Sequence, residues 1–372
     1  MSKLFKYAFS DLYDISSGIS STKDQAGHGT PFASFRTVFN NIFLPDKLPD
    51  LMEVSEKEQK IYSIKKGDIL ITRTSETVDE LAMSCVALKD YPQATYSGFV
   101  KRLRPKTEGI VYDRFMAFFL RSKCFRKVIE CNTIMTLRAS FNEDIFSFLD
   151  LYLPDYETQK RIGDLLYHME RKRENNAQIN DNLQQMAHMT FMHCFWGKPT
   201  NGTIGEILIE HEKSPIQVGQ AKNTVGSYPF FTSGDAVLRW KSSLIDGRNI
   251  FMNTGGNAGV KFYVGKAAYS TDTWCVSARD GLSDYLYLFL DSIKPELSQK
   301  FFQGTGLKHL QKPILKNRPM YIPSKDELEV FNHSVIPWLT LVSDNIRESE
   351  RLAALRDWLL PMLMNGQATI ED

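Results

Sequence analysis

The stretch PDYETQKRIGDLLYHMERKRENNAQINDNLQQMAHMTFMHCFW, residues 154–196, decides the fold of this chain. The members of its apolar stripe recur at steps of three and four residues: Ile162, Leu165, Leu166 and Met169, and then Ile179, Leu183, Met186, Thr190 and Cys194. This spacing places them along one side of a helix. The stretch contains no glycine after Gly163 and no proline after its first residue, so it predicts one long helix in the middle of the chain.

The end of the chain repeats this stretch at a shift of 169 residues. LYLP at 151–154 corresponds to MYIP at 320–323, and Leu183, Met186 and Phe191 correspond to Leu352, Leu355 and Leu360. The sequence therefore predicts a second long helix and a chain of two similar halves. We expect globular segments at residues 1–153 and 199–322, and long helices at 154–198 and 323–372. Pro337 lies inside the second helix, where a proline removes a backbone donor and kinks the helix.

Length and composition limit the class of protein. With 372 residues, of which 42% are hydrophobic and 24% charged, the chain has material for two globular cores. Its five cysteines form no CxxC pair, which argues against a disulfide framework or a zinc finger. No apolar run approaches the roughly 20 residues that span a bilayer, and the first residues lack the apolar core of a signal peptide. We therefore expect a cytoplasmic protein without a membrane partner.

The first globular segment contains a strongly basic region. Residues 99–138 hold ten lysines and arginines against three acidic residues, a net charge of +7, although the whole chain carries only +1. One interpretation is the solvated face of a helix over residues 113–130. The other is a surface that binds DNA phosphates. Its best candidates lie close together, so that both faces of a strand are basic: Lys101, Arg102, Arg104 and Lys106. We expect alanine at Lys101 to flatten the salt dependence of DNA binding by about one unit.

The second globular segment repeats the pattern of the first. GDILI at 67–71 has a counterpart in GRNIF at 247–251, and each predicted strand runs into a polar loop. The first of these loops is RTSET at 73–77 and the second is NTGGNAG at 253–259. Loops that a strand positions often carry recognition residues. A further glycine-rich turn with basic residues, GTGLKHLQKP, follows at 304–313.

Over essentially its full length the chain resembles the specificity (S) subunits of Type I restriction-modification systems. The resemblance rests on the two halves, on the helix quoted above, on PSKDELEVFNHSVIPWLTLVSDNIRESERLAALRDWLLPMLMNGQ at 323–367, and on the segments KKGDILITRT and GTGLKHLQKPILKNRPMYIP. It implies an α+β fold in which two long antiparallel helices, a coiled-coil spacer, separate two globular α/β target-recognition domains. It also implies that catalysis and S-adenosylmethionine belong to other subunits, so no cofactor is expected on this chain.

The same resemblance implies the partners. These are double-stranded DNA with a bipartite target, two methyltransferase (M) subunits, and restriction (R) subunits that join through the complex. Helix length agrees with such a target, because about 35 helical residues at about 1.5 Å each span about 50 Å, against about 34 Å for one turn of DNA. We therefore expect two short half-sites with an unread gap between them. The alternative function is a coiled-coil scaffold for protein interaction without DNA reading.

If the two helices pair antiparallel, their apolar seams bury each other. The predicted seam consists of Ile179, Leu183 and Met186 against Leu339, Val342, Ile346, Leu352 and Leu355. Asn176 and Asn180 lie near it and either fix the register or face solvent. Toward its end each helix is apolar on nearly every side and therefore needs more than one neighbour. Either the chain's own domains or the M subunits supply these neighbours, and the partner-binding candidates are Phe191, Phe195, Trp196, Trp358, Leu359 and Leu363.

Reading of DNA bases requires donors and acceptors on loops that reach the base edges, with Arg or Lys to guanine and Asn or Gln to adenine. On this ground the candidates in the first segment are Arg73, Thr74, Ser75, Lys101, Arg102 and Arg138. The candidates in the second segment are Lys222, Asn223, Asn253, Asn257, Lys261, Lys308, His309 and Lys312.

No catalytic or metal site is predicted. The glycine loop at 255–259 lacks the dinucleotide-binding spacing, and the sequence contains no GxxxxGK[ST] loop. His188 and His193 are five residues apart on a helix, so they face different sides and do not chelate a metal together. Asp50, Glu58 and Lys60 form a nuclease-like arrangement, but their polar surroundings favour a solvated loop.

Overall fold

The computed structural model describes residues 3–20, 22–77, 80–132, 139–141, 143–306, 308–368 and 370. The chain divides into two compact units. Unit 1 comprises Met1–Lys172 together with Arg351–Asp372, and unit 2 comprises Arg173–Glu350. Each unit therefore contains one globular segment and part of each long helix.

Short strands and short helices alternate through the globular part of unit 1. The strands are β1 Phe5–Ala8, β2 Tyr13–Ser17, β3 Ala26–Ala33, β4 Asp50–Met52, β5 Ile69–Thr72, β6 Thr74–Ser75, β7 Ser84–Val86, β8 Thr95–Tyr96, β9 Val100–Pro105, β10 Ala139–Ser140 and β11 Asp150–Leu153. The helices are α1 Phe9–Leu12, α2 Phe35–Asn40, α3 Glu56–Ile61, α4 Asp113–Phe119, α5 Lys123–Asn132 and α6 Glu143–Phe148.

An antiparallel sheet in the order β2-β9-β5-β7 forms the centre of unit 1. β5 is buried at all four positions, which explains its continuously apolar sequence ILIT. A second sheet, β4-β3-β8, contains the parallel pair β3–β8, and β1 pairs with β11. Aromatic side chains from several elements fill the core, among them Phe9, Phe115, Phe125 and Phe141.

α7, Tyr156–Phe195, follows β11 and contains 40 residues. Asp155 caps its start, because its carboxylate accepts hydrogen bonds from the backbone N–H and the hydroxyl of Thr158 at 2.9 and 2.8 Å. Gly197 follows its end with φ +81°, a left-handed conformation that favours glycine. The long central helix is confirmed, with ends close to the predicted residues 154 and 196.

Short strands and short helices also alternate through the globular part of unit 2. Its strands are β12 Gly202–Thr203, β13 Leu208–Glu210, β14 Tyr228–Phe231, β15 Val237–Trp240, β16 Arg248–Asn253, β17 Val260–Val264, β18 Ala268–Tyr269, β19 Thr273–Ala278, β20 Phe302–Gln303, β21 His309–Leu310 and β22 Pro319–Met320. Its helices are α8 Ile204–Ile207, α9 Val218–Lys222, α10 Ser283–Ser292, α11 Lys294–Glu296 and α12 Lys312–Lys316, with a π-helical turn at Leu297–Phe301.

The sheets of unit 2 repeat the topology of unit 1. The main sheet has the order β13-β19-β16-β17, which corresponds strand by strand to β2-β9-β5-β7. The second sheet, β15-β14-β18, again contains one parallel pair, β14–β18, and β12 pairs with β22 as β1 pairs with β11. The internal duplication that the sequence predicts is therefore present in the topology as well.

α13, Lys325–Met364, also contains 40 residues and matches α7 at the same shift of 169. Gly366, with φ +67°, follows its end as Gly197 follows α7. The expected disturbance at Pro337 does not interrupt the helix. Next to the proline, the carbonyl of Ile336 accepts hydrogen bonds from the hydroxyl of Thr340 at 2.6 Å and from Arg248 at 3.2 Å.

Within each unit the two long helices run antiparallel. In unit 2 the side chain of Asn176 donates to the hydroxyl of Ser349, and that of Asn180 donates to the carbonyl of Val342. Later residues of α7 thus meet earlier residues of α13. In unit 1 Arg356 of α13 forms an ion pair with Glu170 of α7 at 2.8 Å.

The predicted seam between the helices is wrong at three of its positions. Ile179, Met186 and Leu355 are exposed, whereas Asn176 and Ala187 are buried. The pattern favoured the most apolar residues, but a buried amide is stable when it is hydrogen-bonded. The true seam therefore passes one position away from the predicted stripe in the middle of α7.

A layer of amide side chains occupies the seam between α7 and α13. For Asn176 and Asn180 the sequence had left two alternatives, a role in fixing the register or exposure to solvent. Asn176 donates to Glu348 at 2.7 Å and to Ser349 at 3.3 Å. Asn345 donates to the side-chain oxygen of Asn180 at 2.9 Å. Since Asn345 is Asn176 shifted by 169 and Ser349 is Asn180 shifted by 169, the layer repeats the symmetry of the duplication.

Candidate nucleic-acid interface

In unit 2 a polar loop at 254–259 follows the central strand β16. Asn253 ends that strand and is only 5% exposed. Its amide donates to the carbonyl of Asn257 at 3.0 Å, and a Cβ at Gly259 would lie 2.4 Å from this amide. Glycine at 259 therefore lets the loop close over Asn253. This placement corrects the expectation for Asn253, because a buried amide that braces the loop does not face a base.

A second segment lies against the 254–259 loop. The N–H of Gly256 donates to the carbonyl of Lys308 at 2.9 Å, and the N–H of Leu310 donates to the carbonyl of Thr254 at 3.0 Å. Gly255 and His309 form a β-bridge. The fold thereby brings together three exposed candidates that are about 50 residues apart in sequence: Asn257, Lys308 and His309.

Lys261, the next candidate along the chain, is used inside unit 2. Its ammonium donates to the carbonyl of Thr232 at 2.9 Å and also contacts the carbonyl of Gly234. Burial lowers its pKa, and the nearby carboxylate of Asp235 opposes that shift. Lys261 therefore holds the turn after β14, which corrects the expectation that it faces DNA.

Lys312 is likewise held by an ion pair. Its ammonium lies 2.9 Å from Glu210, which also binds Lys316 at 2.6 Å. Burial alone would raise the pKa of Glu210, but the hydrogen bonds from Lys316 and Lys312 lower it to about 2. Lys312 thus stabilises the contact of α12 with β13. Lys222 and Asn223, in contrast, lie exposed at the end of α9.

In unit 1 the loop after the central strand β5 has the same construction. Arg73 is exposed, and Thr74 and Ser75 form β6, which pairs with Ser140 and Ala139 of β10. The N–H of Phe141 donates to the carbonyl of Arg73 at 2.8 Å. In both units a later strand therefore supports the loop that leaves the central strand. Arg138 lies outside the described residues.

The basic residues of β9 are engaged in contacts within unit 1. Lys101 is 6% exposed, and its ammonium lies 3.1 Å from Glu143. Arg102 donates to the carbonyl of Ser63 at 2.6 Å. β9 lies between β2 and β5 in the sheet, and within this strand Lys101 is buried and Arg102 is half-buried. The expectations for Lys101 and Arg102 are corrected accordingly.

Three arginines of the 99–138 segment also make internal contacts. Arg104 forms two hydrogen bonds with the buried carboxylate of Asp68, at 2.6 and 2.7 Å. Arg114 forms an ion pair with Asp164 at 2.7 Å. Arg121 donates to four backbone carbonyls. Most of the +7 segment thus serves to hold unit 1 together, an outcome that neither of the two interpretations foresaw.

The helix ends are buried by the chain's own units. Phe191 and Phe195 pack against Tyr285 in unit 2, with ring centroids 5.5 and 5.1 Å apart, and Leu363 is buried in the core of unit 1. These three candidates are therefore not accessible to a partner. Trp196 and Trp358 are exposed, and Leu359 is half-buried.

Sequence reasoning named Trp358 as a partner-binding candidate but missed the other members of two exposed apolar patches on the long helices. On α7 Met186 and Met189 are 45% and 68% exposed, and on α13 Leu355 and Trp358 are 43% and 64% exposed. At a shift of 169 residues, Met186 corresponds to Leu355 and Met189 corresponds to Trp358. This correspondence was visible in the sequence, but the pattern placed Met186 and Leu355 in the buried seam.

The described part of the chain contains no cluster of three or more His, Cys, Asp or Glu side chains arranged to hold a metal ion. Within the same residues no helix combines the length and the apolar character needed to cross a membrane.

The family model of the Type I restriction modification DNA specificity domain matches residues 6–185 and again residues 196–334. The chain belongs to this family. It is a Type I specificity subunit with two target-recognition domains, one in each unit, and the predicted α+β fold with two long helices is confirmed. In this family the specificity subunit is not the catalyst, and catalysis resides on separate methyltransferase and restriction subunits.

Individual relatives agree with the family assignment. The chain is similar to the HindI specificity subunit of Haemophilus influenzae, at 29% identity over 189 residues that cover 50% of this chain and 39% of that subunit. It is similar to the MjaIX specificity subunit of Methanocaldococcus jannaschii, at 21% identity over 370 residues, with 87% and 82% covered. It is also similar in fold to the crystal structure of an S subunit from M. genitalium, with a TM-score of 0.69, 13% identity, and 97% and 96% covered.

Proposed function

We propose that unit 1 and unit 2 each read one half of a bipartite double-stranded DNA target. The observation that carries this proposal is the repeated construction of the two units. Both have the same strand order, and in both a polar loop leaves the central strand and is supported by a later strand. Two similar readers on one chain suit a target with two short half-sites.

In this proposal polar residues in or near the loops contact the DNA, and ion-paired cations such as Lys101 and Lys312 stabilise the domains that carry them. The contacts in the first half are Arg73, Thr74, Ser75 and Arg138. The contacts in the second half are Lys222, Asn223, Asn257, Lys308 and His309. Side chains of these types donate to or accept from base edges and phosphates. The protein would work in the cytoplasm, where it meets the DNA.

The long helices would set the spacing between the half-sites. Each contains 40 residues, which corresponds to about 60 Å at about 1.5 Å per residue. This length exceeds one turn of DNA, about 34 Å. We therefore expect a gap of unread base pairs between the two half-sites.

The same helices would dock two M subunits. The Met186 and Met189 patch on α7 and the Leu355 and Trp358 patch on α13 are related by the duplication, so one kind of partner surface fits both. Exposed apolar patches of this kind mark protein interaction sites. R subunits would then join through the assembled complex.

Sequencing of methylated DNA tests the reading function. A host that expresses this chain with its M subunit should methylate one motif made of two short parts and a constant gap. Exchange of unit 2 for that of another specificity subunit should change one part of the motif only. An uninterrupted motif would contradict the proposal. If exchange of the loops changed neither part of the methylated motif, the result would favour the alternative function, a scaffold that does not read DNA.

The stoichiometry of the complex tests the docking patches. Native mass spectrometry of the chain with its M subunit should show two copies bound to the original chain. Replacement of Met189 or Trp358 by aspartate should remove one copy each, because a charge is costly in an apolar contact. Aspartate at the exposed Gln184 of α7 is the matched control and should retain both copies. Two bound copies in the Met189→Asp and Trp358→Asp double variant would exclude these patches.

A further inference from the structure

Arg347 of α13 holds the end of the edge strand β17. Its Nη1 donates to the hydroxyl of Tyr263 at 3.0 Å and to the carbonyl of Val264 at 2.6 Å. The guanidinium lies over the ring of Tyr263, 5.5 Å from its centroid. One turn earlier on α13, the hydroxyl of Ser343 accepts a hydrogen bond from the N–H of Val264 at 2.9 Å. The helix and the strand are thus joined by directional contacts on both sides of Val264.

The backbone at Gly265 is shaped to admit this arginine. Gly265 has φ +124°, and a Cβ at this position would lie 3.0 Å from Nη1 of Arg347. Any other residue there would be strained and would crowd the guanidinium. The turn after β17 therefore accommodates the contact with α13.

Tyr263 continues the contact into the core of unit 2. Its ring lies 5.6 Å from the ring of Phe231, and Phe231 stacks on Phe251 at 4.0 Å with an angle of 7°. All three rings are buried in one cluster. A close-packed aromatic cluster transmits a displacement from one side to the other, because it has no free volume to absorb it.

Phe231 ends β14, and the turn that follows it holds the 254–259 loop. The hydroxyl of Ser233 accepts a hydrogen bond from the N–H of Thr254 at 2.9 Å. Lys261 fixes the same turn through the carbonyl of Thr232. A continuous path of direct contacts thus leads from Arg347 on the long helix through Tyr263 and Phe231 to the loop that carries Asn257.

We propose that Arg347 is a positioning residue for spacing specificity. Through Tyr263 and β17 it fixes the orientation of the 254–259 loop relative to α13. This orientation sets the number of base pairs that separate the second half-site from the first. Arg347 does not contact the DNA itself. This inference rests on the proposed function, because spacing has a meaning only for a bipartite target.

The test separates spacing from base reading in the complete complex of this chain with its M subunit. Methylation rates are measured on duplex oligonucleotides that carry both half-sites at the native gap and at gaps one base pair shorter or longer. A second series keeps the gap and changes one base in a half-site. The variants are Arg347→Ala, Arg347→Lys and Tyr263→Phe. Arg351→Ala is the control, because Arg351 is an exposed arginine one turn further along α13.

Arg347→Ala should reduce the preference for the native gap by about tenfold, the scale of one hydrogen bond to a charged group. The preference for the correct half-site bases should remain. Tyr263→Phe loses only the acceptor hydroxyl and should show a smaller change in the same direction, and Arg347→Lys should recover part of the preference. Arg351→Ala should behave as the original chain.

Three results would overturn the inference. The first is an unchanged gap preference in Arg347→Ala. The second is an equal loss of gap preference and base preference in Arg347→Ala, which would indicate general damage to unit 2. If Arg347→Ala does not fold, Tyr263→Phe takes its place, and an unchanged gap preference in that variant would likewise overturn the inference. The third is a change in Arg351→Ala as large as that in Arg347→Ala. If the original chain shows no gap preference at all, the proposed reading function fails instead.

Discussion

Replacement of Arg121 by alanine tests whether the basic segment of unit 1 has a structural role. Nε of Arg121 donates to the carbonyl of Ser84 at 2.6 Å, and Nη2 donates to the carbonyls of Val38, Phe39 and Asn41 at 2.9, 2.9 and 2.8 Å. Three of these carbonyls lie at the end of α2, where a helix leaves its last carbonyls without intrahelical partners. Burial lowers the pKa of Arg121 to about 10, so its guanidinium remains charged at neutral pH.

The contacts allow the effect to be worked out. A hydrogen bond to a charged group contributes about 1.5–3 kcal/mol. The four bonds are not additive, because they share one side chain and water reaches carbonyls at a helix end once that side chain is removed. If two of the four remain uncompensated, Arg121→Ala lowers the free energy of unfolding of unit 1 by about 3–6 kcal/mol. This is a large part of the roughly 5–15 kcal/mol that a folded domain has.

Hydrogen exchange followed by mass spectrometry is the suitable assay, because a chain with two units does not unfold in one step. The peptides that contain β5 and β7 report on unit 1, and peptides of unit 2 serve as an internal reference. Lys123→Ala, an exposed position on α5, is the matched control and should change stability by no more than about 0.5 kcal/mol. A loss of stability below about 1 kcal/mol in Arg121→Ala would refute the structural role of Arg121.

Three further predictions follow from individual contacts. Leucine at both Asn176 and Asn345 should raise the thermal unfolding temperature, because an apolar pair replaces a buried polar layer; a lower temperature would show that the layer stabilises the helices. The pKa of Glu210, lowered to about 2, means that its ion pairs stabilise unit 2 above about pH 4.5 and lose this effect as the pH falls toward 2; the stability difference between Glu210→Gln and the original chain should shrink over that range. Alanine at Lys308 should flatten the salt dependence of DNA binding by about one unit, whereas alanine at Lys101 should leave the slope unchanged because its ammonium is buried beside Glu143; the opposite result would exchange their roles.

The candidate site was only partly predictable from sequence. The polar segments after β5 and β16 were identified correctly, because a polar run after a buried strand is a local pattern. The assignment of single cations failed for Lys101 and Lys261, whose ammonium groups are held by Glu143 and by backbone carbonyls. Residue type shows that a side chain is able to bind phosphate, but the partner that neutralises it comes from a distant part of the chain.

The sequence by itself determined the duplication and the two long helices. These depend on local properties: apolar periodicity, the Asp155 cap, and the glycines at 197 and 366, whose backbone adopts a left-handed conformation. Only the tertiary structure decided which side of α7 is buried, and hence that Met189 and Trp358 are exposed while Asn176 is enclosed. The physical reason is that burial depends on the neighbour that covers a residue, and an amide is able to occupy a packed seam when that neighbour supplies its hydrogen bonds.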